Sequence, residues 1–425
     1  MSKTFLSSDH PSPEWSVAST RARELAGLGT FQFLAMNRRG VFYPFLAVYA
    51  YQRLGANLMQ VGLLSALPMF ASSITQPYWG RLSDRTGKRK SFIIIGETIA
   101  GIAYLLMMGL NEVWLLILGL TILEGFWSMS NVAWSTLIID VASPSERGRV
   151  MGYLNTIGVA GMAFGVFAAG VLYDTAGFVV NFMLSAAMMF VSAAVVWVWV
   201  DDQKRTTTPA ERAAARPEET KGDVPMLRML VLTSSLSMFG INGLRQLMMI
   251  FMGSGLGFSG TLIGTVSAIG NVTNLILGIP VGYLSDKVDK RRLYLVALAL
   301  NTVTPAVLFL SETPFHFVLV SALVGMSWPL AETTAFPMAG DFAPATNRGK
   351  FLGYFNAVRF LFGFGLPPFL LGGYLADYLK NIRIAEGLQE RRALIVSSKE
   401  TFLVAIIITL IGFILWIPVL KKRES

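Results

Sequence analysis

The sequence contains no cysteine and only two histidines. The absence of cysteine excludes disulfides, thiolate metal sites and cysteine nucleophiles. His10 lies in a polar N-terminal stretch and His316 at the edge of an apolar segment, so the two cannot build a histidine metal cluster or a Ser–His–Asp triad in a buried site. A phosphate-binding loop of the G-x-x-x-x-G-K-[ST] type is also missing, which argues against ATP hydrolysis. We therefore expect neither an enzyme nor a bound metal or cofactor.

Charged residues are scarce as well. They make up 14% of the chain, against about a quarter in soluble globular proteins, while apolar residues make up 53%. This balance excludes an ordinary soluble enzyme and a disordered chain, and it indicates the lipid bilayer as the solvent. The formal net charge is +9, but lysines and arginines lie in short clusters between apolar runs rather than on one basic face. We expect no nucleic-acid partner.

Long apolar segments dominate the chain, and twelve of them reach the roughly 20 residues that a membrane-spanning helix requires. The longest polar stretch between them divides the set six and six. We predict an all-α integral membrane protein with twelve transmembrane helices, organised as an N-terminal tail 1–26, a six-helix bundle 27–200, a linker 201–226, a second six-helix bundle 227–420 and a tail 421–425. The apolar segments are 28–51, 58–80, 91–110, 113–140, 150–172, 178–200, 227–253, 260–283, 292–311, 315–340, 350–376 and 401–420.

Basic residues concentrate in the loops after the second and the eighth apolar segment, at Arg81 to Lys90 and Lys287 to Arg292. Positively charged loops stay in the cytoplasm, so we expect both loops, the linker and both termini on the cytoplasmic side of the cell membrane. The stretch from Leu379 to Glu400 is an exception, because it holds five basic residues and a twelve-helix topology places it outside.

The two halves of the chain share sequence motifs. The run GRLSDRTGKRK at 80–90 returns as GYLSDKVDKRR at 282–292, displaced by 202 residues. The run RGRVMGYLN at 147–155 returns as RGKFLGYFN at 348–356, displaced by 201 residues. Two independent motifs at nearly one displacement predict two homologous six-helix bundles, an organisation associated with alternating access around a central site.

The repeated loop resembles the signature loop of the major facilitator superfamily, and the resemblance covers essentially the whole chain. It implies that Asp84 closes the cytoplasmic gate against Arg348 to Phe351, and that Asp286 does so against Arg147 to Val150. The basic residues of the loop can also serve only as inside-positive anchors. The gating residues that we expect are Gly80, Asp84, Arg85, Gly87, Arg89, Gly282, Asp286 and Arg348.

A glycine row in the fifth segment resembles the drug and proton antiporter branch of that family. The row is Gly158, Gly161, Gly165 and Gly170, and it departs from the branch because Val166 stands where the branch has proline. The fourth segment also lacks the arginine and glutamine usual in the branch. The glycines can equally serve helix packing alone.

Ionisable side chains in the middle of an apolar segment are expensive to bury and are therefore functional candidates. Arg39 and Glu124 lie at similar depths, and we expect them to meet. Arg38 lies on another face, where Glu97 is a possible partner. By resemblance the third helix faces lipid, which lowers the weight given to Glu97. A structural Arg–Glu pair that fixes helix register is the alternative for Arg39 and Glu124.

These residues lead to a functional expectation. Glu124 first and Glu332 second are the expected proton-coupling residues of a monomeric secondary transporter. Its partners are a small-molecule substrate, protons and the lipid bilayer, and proton-coupled export of amphiphilic molecules is the first choice. Transport of anionic solutes or lipid-linked head groups, favoured by four intramembrane arginines, and a transport-inactive scaffold are the alternatives. The expected substrate cavity comprises Arg39, Tyr43, Trp127, Asn131, Asn242, Gln246, Asn271, Asn274 and Trp328, although the amides can also be interhelical contacts.

Overall fold

The computed structural model describes residues 14–141, 147–200, 222–344 and 348–421, and these form long helices connected by short turns. The predicted tails and the linker lie mostly outside these ranges. We number the helices in chain order: α1 (Glu14–Arg53), α2 (Leu58–Thr86), α3 (Arg89–Met107), α4 (Val113–Val141), α5 (Arg147–Ala176), α6 (Val179–Trp199), α7 (Val224–Gly255), α8 (Gly260–Lys287), α9 (Lys290–Phe309), α10 (Pro314–Phe342), α11 (Lys350–Ala385, preceded by Arg348 and Gly349) and α12 (Glu390–Lys421).

The predicted fold class is confirmed. Eleven of the described helices, α2 to α12, are long and apolar enough to span a membrane. The remaining helix, α1, is 40 residues long and carries Arg38 and Arg39 near its middle. It begins at Glu14, inside the stretch predicted as a tail, because residues 14–26 are rich in good helix formers such as alanine, arginine, glutamate and leucine.

Two helices deviate from α-helical geometry. In α7, the segments Val224–Gly243 and Arg245–Ile250 are separated at Leu244 and followed by a π-helical turn, Phe251–Gly255. In α11, π-helical turns at Leu361–Gly365 and Pro368–Leu375 flank a pair of prolines. Proline removes a backbone donor and obstructs the preceding turn, so the ladder of hydrogen bonds widens there.

The basic stretch expected as an external loop from Leu379 to Glu400 is mostly helical, so its predicted extent is wrong. Helix α11 continues to Ala385 and α12 begins at Glu390. The basic side chains are held by acids: Lys380 Nζ lies 2.6 Å from Glu390, and Lys399 Nζ lies 2.8 Å from Glu312. The list is completed by Arg383, which pairs with both Glu386 and Glu400. Ion pairing therefore allows these helices to project beyond the membrane.

Glycines bring α1 and α5 together. A Cβ atom at Gly161 would lie 2.5 Å from the carbonyl oxygen of Phe33, and one at Gly165 would overlap the carbonyl oxygen of Asn37. From the other side, a Cβ at Gly40 would lie 2.6 Å from the carbonyl oxygen of Met162. Backbones at this distance leave no room for a side chain, so this part of the glycine row in α5 is a packing surface.

We predict that Gly165→Val destabilises the protein, because the added methyl groups force α1 and α5 apart at a cost of about 1–3 kcal/mol. Gly152→Val in the same helix is the matched control, since no atom lies within 4 Å of a Cβ placed there. The measurement is the thermal unfolding midpoint of both purified variants in detergent. Equal midpoints for the two variants would contradict this account of the packing.

Candidate transport pathway and gates

The two halves of the chain are joined at one end of the bundle, which we call the closed face. This end carries the α1–α2, α7–α8 and α11–α12 connections. Gly62 of α2 packs against the backbone of α11, where its Cβ would lie 2.6 Å from the carbonyl oxygen of Pro368. Gly264 of α8 packs against α5 in the same way, with a Cβ position 2.7 Å from the carbonyl oxygen of Val166. At this face the backbones of the two halves touch.

At the opposite end, which carries the basic α2–α3 and α8–α9 loops and which we call the basic face, the same helices leave large side chains uncovered. Ile74 and Tyr78 of α2 are 75% and 61% exposed, and Ile279 and Tyr283 of α8 are 75% and 63% exposed. At the closed face α2 and α8 form the boundary between the halves, whereas at the basic face these side chains are not covered by the other half, so the halves are less tightly closed there.

The closed face is held by a carboxylate that caps a helix of the other half. Asp174, near the end of α5, accepts hydrogen bonds from the backbone N–H groups of Gly260 and Thr261 and from the Thr261 hydroxyl, each at 2.7 Å. The first N–H groups of α8 have no partner within their own helix, and a negative charge complements the helix dipole. Ser259 caps the next free N–H, that of Leu262, at 3.2 Å.

An equivalent cap lies at the other boundary. Asp377 of α11 accepts a hydrogen bond of 3.0 Å from the N–H of Leu58, the first residue of α2, and Asn57 caps the N–H of Gln60 at 2.8 Å. Asp377 follows Asp174 by 203 residues, close to the displacement of the sequence repeat. The sequence analysis missed both aspartates, although this displacement was a signal that could have revealed them.

Two further contacts join the halves at the closed face. Lys380 donates a hydrogen bond of 2.8 Å to the hydroxyl oxygen of Tyr51, and Gln52 donates one of 3.1 Å to Ser254. Gln246 of α7 also donates to Ser65 of α2. Gln246, predicted as a cavity residue, is therefore an interhelical contact between the halves in this conformation.

The predicted gating residues lie at the open basic face. Asp84 is exposed and forms an ion pair with Arg89 at 3.7 Å, rather than contacting Arg348 to Phe351 as the resemblance implied. In the second half Asp286 is exposed, and the ion pair is formed instead by Lys290 and Asp341 at 3.6 Å. The expected partner range of Asp286 begins at Arg147, whose side chain is outside the described residues.

The remaining gating residues have local contacts. Gly87 ends α2 in the left-handed conformation at φ 64°, where its N–H donates to Ser83, and this explains the glycine. Gly80 faces α4, with a Cβ position 3.4 Å from Val132, whereas Gly282 has no atom within 4 Å. Arg85 is exposed, as is Arg348, whose guanidinium lies over Gly340.

Trp127 of α4 is the centre of a cluster of charged residues between the helices of the first half. The guanidinium of Arg38 lies 5.0 Å from one Trp127 ring centroid and that of Arg39 lies 4.9 Å from it. Arg38 is buried and donates a hydrogen bond of 2.6 Å to the hydroxyl of Tyr104. Cation–π contacts thus stabilise two arginines of α1 in place of the carboxylate partners that the sequence suggested.

Two buried acids complete this cluster. Glu124 bonds to the hydroxyl of Tyr43, so its expected contact with Arg39 is replaced by one with a neutral donor. Glu97 accepts hydrogen bonds from the Trp127 indole at 2.9 Å and from Ser130 at 2.7 Å, and it is 1% exposed. The low weight given to Glu97 was wrong, because its face of α3 packs against α4 rather than lipid.

In the second half, Glu332 of α10 forms a two-pronged ion pair with Arg359 of α11. The arginine is buried, and the glutamate side chain is 35% exposed. This arrangement differs from that of Glu97 and Glu124, whose described hydrogen bonds come from neutral donors.

The other predicted cavity residues are distributed around the centre. Arg39, Trp127 and Asn131 line one small cavity between α1 and α4, together with Gln32 and Trp134. Asn242 donates to the carbonyl oxygen of Gly363 at 2.8 Å and Asn271 to that of Ser267 at 3.1 Å, which makes them backbone contacts. Two predicted cavity residues remain. Asn274 is half-buried, and Trp328 is 37% exposed and packs edge-on against Phe364.

Arg245 was expected as one of four intramembrane arginines and proves to be an exposed side chain within α7, in electrostatic range of Arg39. Three of the four arginines therefore have described partners, Arg38 and Arg39 in the Trp127 ring and Arg359 in Glu332. Arg39 also lines the small cavity. In the part of the chain that the structure describes, no group of three or more His, Cys, Asp or Glu residues is arranged to hold a metal ion.

Comparison with known proteins agrees with this architecture. Multidrug resistance protein MdtG of Yersinia enterocolitica is 25% identical over 307 residues, which are 69% of this chain and 72% of that protein. MdtG of Salmonella arizonae is 25% identical over 303 residues, 66% of this chain and 71% of that protein.

Two solved structures share the fold. A bacterial homologue of the human lysosomal transporter Spinster, inward-facing and unoccupied, has a TM-score of 0.73 at 16% identity, over 93% of this chain and 96% of that one. The nucleoside transporter NupG has a TM-score of 0.70 at 13% identity, over 92% and 98%. A family model, that of the Major Facilitator Superfamily, matches residues 28–367. The chain therefore belongs to the major facilitator superfamily of multi-pass membrane transporters.

Proposed function

We propose that this protein exports small amphiphilic molecules in exchange for protons, with its basic face in the cytoplasm. The observation that carries the proposal is the pair of buried acids, Glu97 and Glu124, whose described hydrogen bonds come from neutral donors. Such a carboxyl group can gain or lose a proton without breaking an ion pair. The multidrug resistance proteins among the relatives support the amphiphilic substrate class.

Glu124 is the first candidate for the proton carrier and Glu97 the second. Glu124 bonds to Tyr43, and the two arginines over the Trp127 ring belong to the same cluster. When the carboxyl group is ionised, its charge attracts these cations, and when it is protonated that attraction is lost. Proton uptake by Glu124 therefore changes the net charge of the cavity wall. A substrate with a cationic or aromatic group would meet a different electrostatic environment in the protonated and the ionised protein.

Glu332 was expected from the sequence to be a proton-coupling residue, and we propose a structural role for it instead. Its ion pair with Arg359 joins α10 to α11, and breaking a buried pair by neutralising one partner is strongly destabilising. We propose that this pair fixes the register of the two helices.

The conformational cycle follows from the two sets of gates. In the described conformation the caps of Asp174 and Asp377 are formed and the basic face is open. We propose that the opposite conformation releases these caps and brings Asp84 and Asp286 to the start of α11 and α5, where they would act as the corresponding caps at the basic face.

A second candidate function is supported by Arg39 and Arg245, which both face the centre. Two cations within electrostatic range would attract an anionic solute and would repel a cationic one. Transport of an anionic solute is therefore the alternative.

For the proton carrier, we predict that Glu124→Gln abolishes the dependence of substrate flux on an imposed pH gradient while leaving substrate exchange intact, because the amide cannot titrate. Flux is measured in proteoliposomes with a panel of fluorescent lipophilic cations that includes ethidium. Glu112→Gln, which changes an exposed acid in a loop, is the control and should keep full pH dependence.

Glu97→Gln is tested in the same assay and identifies the second carrier if Glu124→Gln retains pH dependence. Full pH dependence in both variants would overturn the proton-coupling proposal. An absence of flux for every member of the panel in the unaltered protein would contradict export of amphiphilic cations.

For the gates, we predict that Asp174→Asn combined with Asp377→Asn shifts the protein toward opening of the closed face. Each lost charge-assisted hydrogen bond weakens the closed face by about 1.5–3 kcal/mol. The readout is the labelling rate of a cysteine at Ser65 by a membrane-impermeant maleimide, which should rise at least tenfold. Asp84→Asn should lower that rate if it weakens the opposing gate, and a shift of both variants in one direction would contradict the model of two opposed gates.

To separate the two candidate functions, we predict that Arg245→Gln leaves ethidium flux unchanged or raises it, since a repulsive charge is removed. An anion transporter would instead lose flux of an anionic fluorescent dye by roughly tenfold, the effect of about 1.4 kcal/mol. Loss of cation flux together with unchanged anion flux would contradict both roles considered for Arg245, repulsion of a cationic substrate and attraction of an anionic one.

A further inference from the structure

Helices α7 and α11 separate toward the basic face and leave an apolar groove of about 560 Å³ between them. They touch farther along, where a Cβ at Gly243 would lie 2.9 Å from Leu371. The groove is lined mainly by aliphatic and aromatic side chains, among them Val231, Leu232, Phe239, Tyr354, Val358 and Phe362. It does not belong to the Trp127 cluster, which lies between α1 and α4 of the other half.

The sequence repeat shows how the two halves differ at this position. In the first half, a Cβ at Gly161 of α5 would lie 2.5 Å from the carbonyl oxygen of Phe33 of α1. The 201-residue displacement of the repeat brings this glycine to Phe362 in α11, whose side chain lines the groove. A phenyl ring therefore occupies the position where glycine lets α5 close on α1.

The groove opens away from the interior of its own half. On α7, Ser237 faces α9, where its hydroxyl accepts a hydrogen bond of 2.8 Å from Asn301. The groove is on another side of the helix, and its members Leu232 and Phe362 are 46% and 42% exposed. Exposed apolar side chains of this kind offer surface to an acyl chain.

The basic-face end of the groove is positively charged. Arg228 of α7 lines the groove and is exposed. Lys350, in the first turn of α11, is exposed and its Nζ lies 5.9 Å from the ring centroid of Tyr354, another lining residue. From Arg228 to Phe239 the helix advances roughly 16 Å, about half the hydrocarbon thickness of a bilayer. The groove is thus about as long as one leaflet of hydrocarbon and has two cations near its basic-face end.

We propose that this groove binds an anionic phospholipid of the leaflet at the basic face, with one acyl chain between α7 and α11 and the phosphate between Arg228 and Lys350. The charge complementarity selects the occupant: the lining offers apolar surface along its length, the hydroxyls of Ser235 and Tyr354, and Arg228 at one end, with Lys350 beside Tyr354. Basic pockets between transmembrane helices bind anionic lipid head groups in this way. An extended peptide would need partners for its backbone polar groups, which the lining does not offer.

The groove adjoins a helix that also acts at the closed face. Helix α11 contributes the Asp377 cap there, and the groove lies between its opposite end and α7. Because both helices belong to the second half, a bound lipid would move with that half, whichever solute the protein carries.

The test is a lipid titration of the full-length protein in detergent, followed by native mass spectrometry. Phosphatidylglycerol is compared with phosphatidylcholine of identical acyl chains. We expect phosphatidylglycerol to bind at least tenfold more tightly, and Arg228→Gln combined with Lys350→Gln to remove that preference, since each cation near the surface contributes about fivefold. The matched control is Arg81→Gln combined with Lys287→Gln, because Lys287 also lies over a tyrosine, 4.2 Å from the Tyr283 ring centroid, and Lys287 and Arg81 are exposed at the same face.

A second variant tests the position of the acyl chain. Ser235→Trp fills the middle of the groove and should reduce the binding of both lipids, whereas Gly152→Trp on the exposed side of α5 should not. Equal binding of the two lipids by the unaltered protein, or an equal loss of preference in the control double variant, would overturn the proposal. Retention of phosphatidylglycerol by Ser235→Trp would show that the lipid binds outside the groove and would overturn it as well.

Discussion

The free N–H groups at the first turns of α2 and α8 need hydrogen-bond acceptors from the other half of the protein. This need holds the two halves together at the closed face. Asn57 and Ser259 satisfy part of each helix start from within the same half. The remaining donors are satisfied across the boundary by Asp377 and Asp174. Because a cap acts only within the first turn of a helix, the two carboxylates can close one end of the boundary without restraining the other. This geometry allows two rigid halves to rock.

Burial of charge sets the second constraint. Placing arginines and acids at the middle of a membrane costs about 2.5–3.5 kcal/mol each by insertion scales, so each side chain must find a partner. In the first half the partners are aromatic rings and neutral hydrogen-bond donors around Trp127. In the second half Glu332 forms an ion pair with Arg359. The halves share a fold and differ in how their acids are paired.

Much of this organisation was predictable from the sequence. Hydropathy located the spans, and the repeat located the two halves, because both depend on residue type along one chain. The contact of Glu97 with Trp127 and Ser130 was not predictable from the depth of Glu97 alone. Gly96 permits it: a Cβ there would lie 2.9 Å from Ser130, so glycine lets α3 approach α4 and carries the neighbouring acid into the cluster. The resemblance assigned the whole third helix to lipid, so it could not predict that one face of α3 packs against α4.

The caps at the closed face were missed for a related reason. Asp174 and Asp377 stand at helix ends in stretches that hydropathy treats as boundaries, and their partners lie 86 and 319 residues away. The helical extension of α11 and α12 was missed because the five basic residues were counted without the acids that pair with Lys380, Arg383 and Lys399. In each of these cases the hydrogen-bond or ion-pair partner is distant in sequence, so counting residue types along the chain could not identify it.

The central claim is that the closed face and the basic face open in turn. The cysteine-free sequence suits its test, since introduced spin labels have no background. Distances between spin labels would be measured by double electron–electron resonance. Labelled cysteines would replace Lys88 and Val288 at the basic face, and Glu112 and Gln389 at the closed face. The measurements would cover a range of pH and include a transported cation. The account predicts two populations whose distances change in opposite senses at the two faces. A change of both distances in the same sense, or at one face alone, would contradict it.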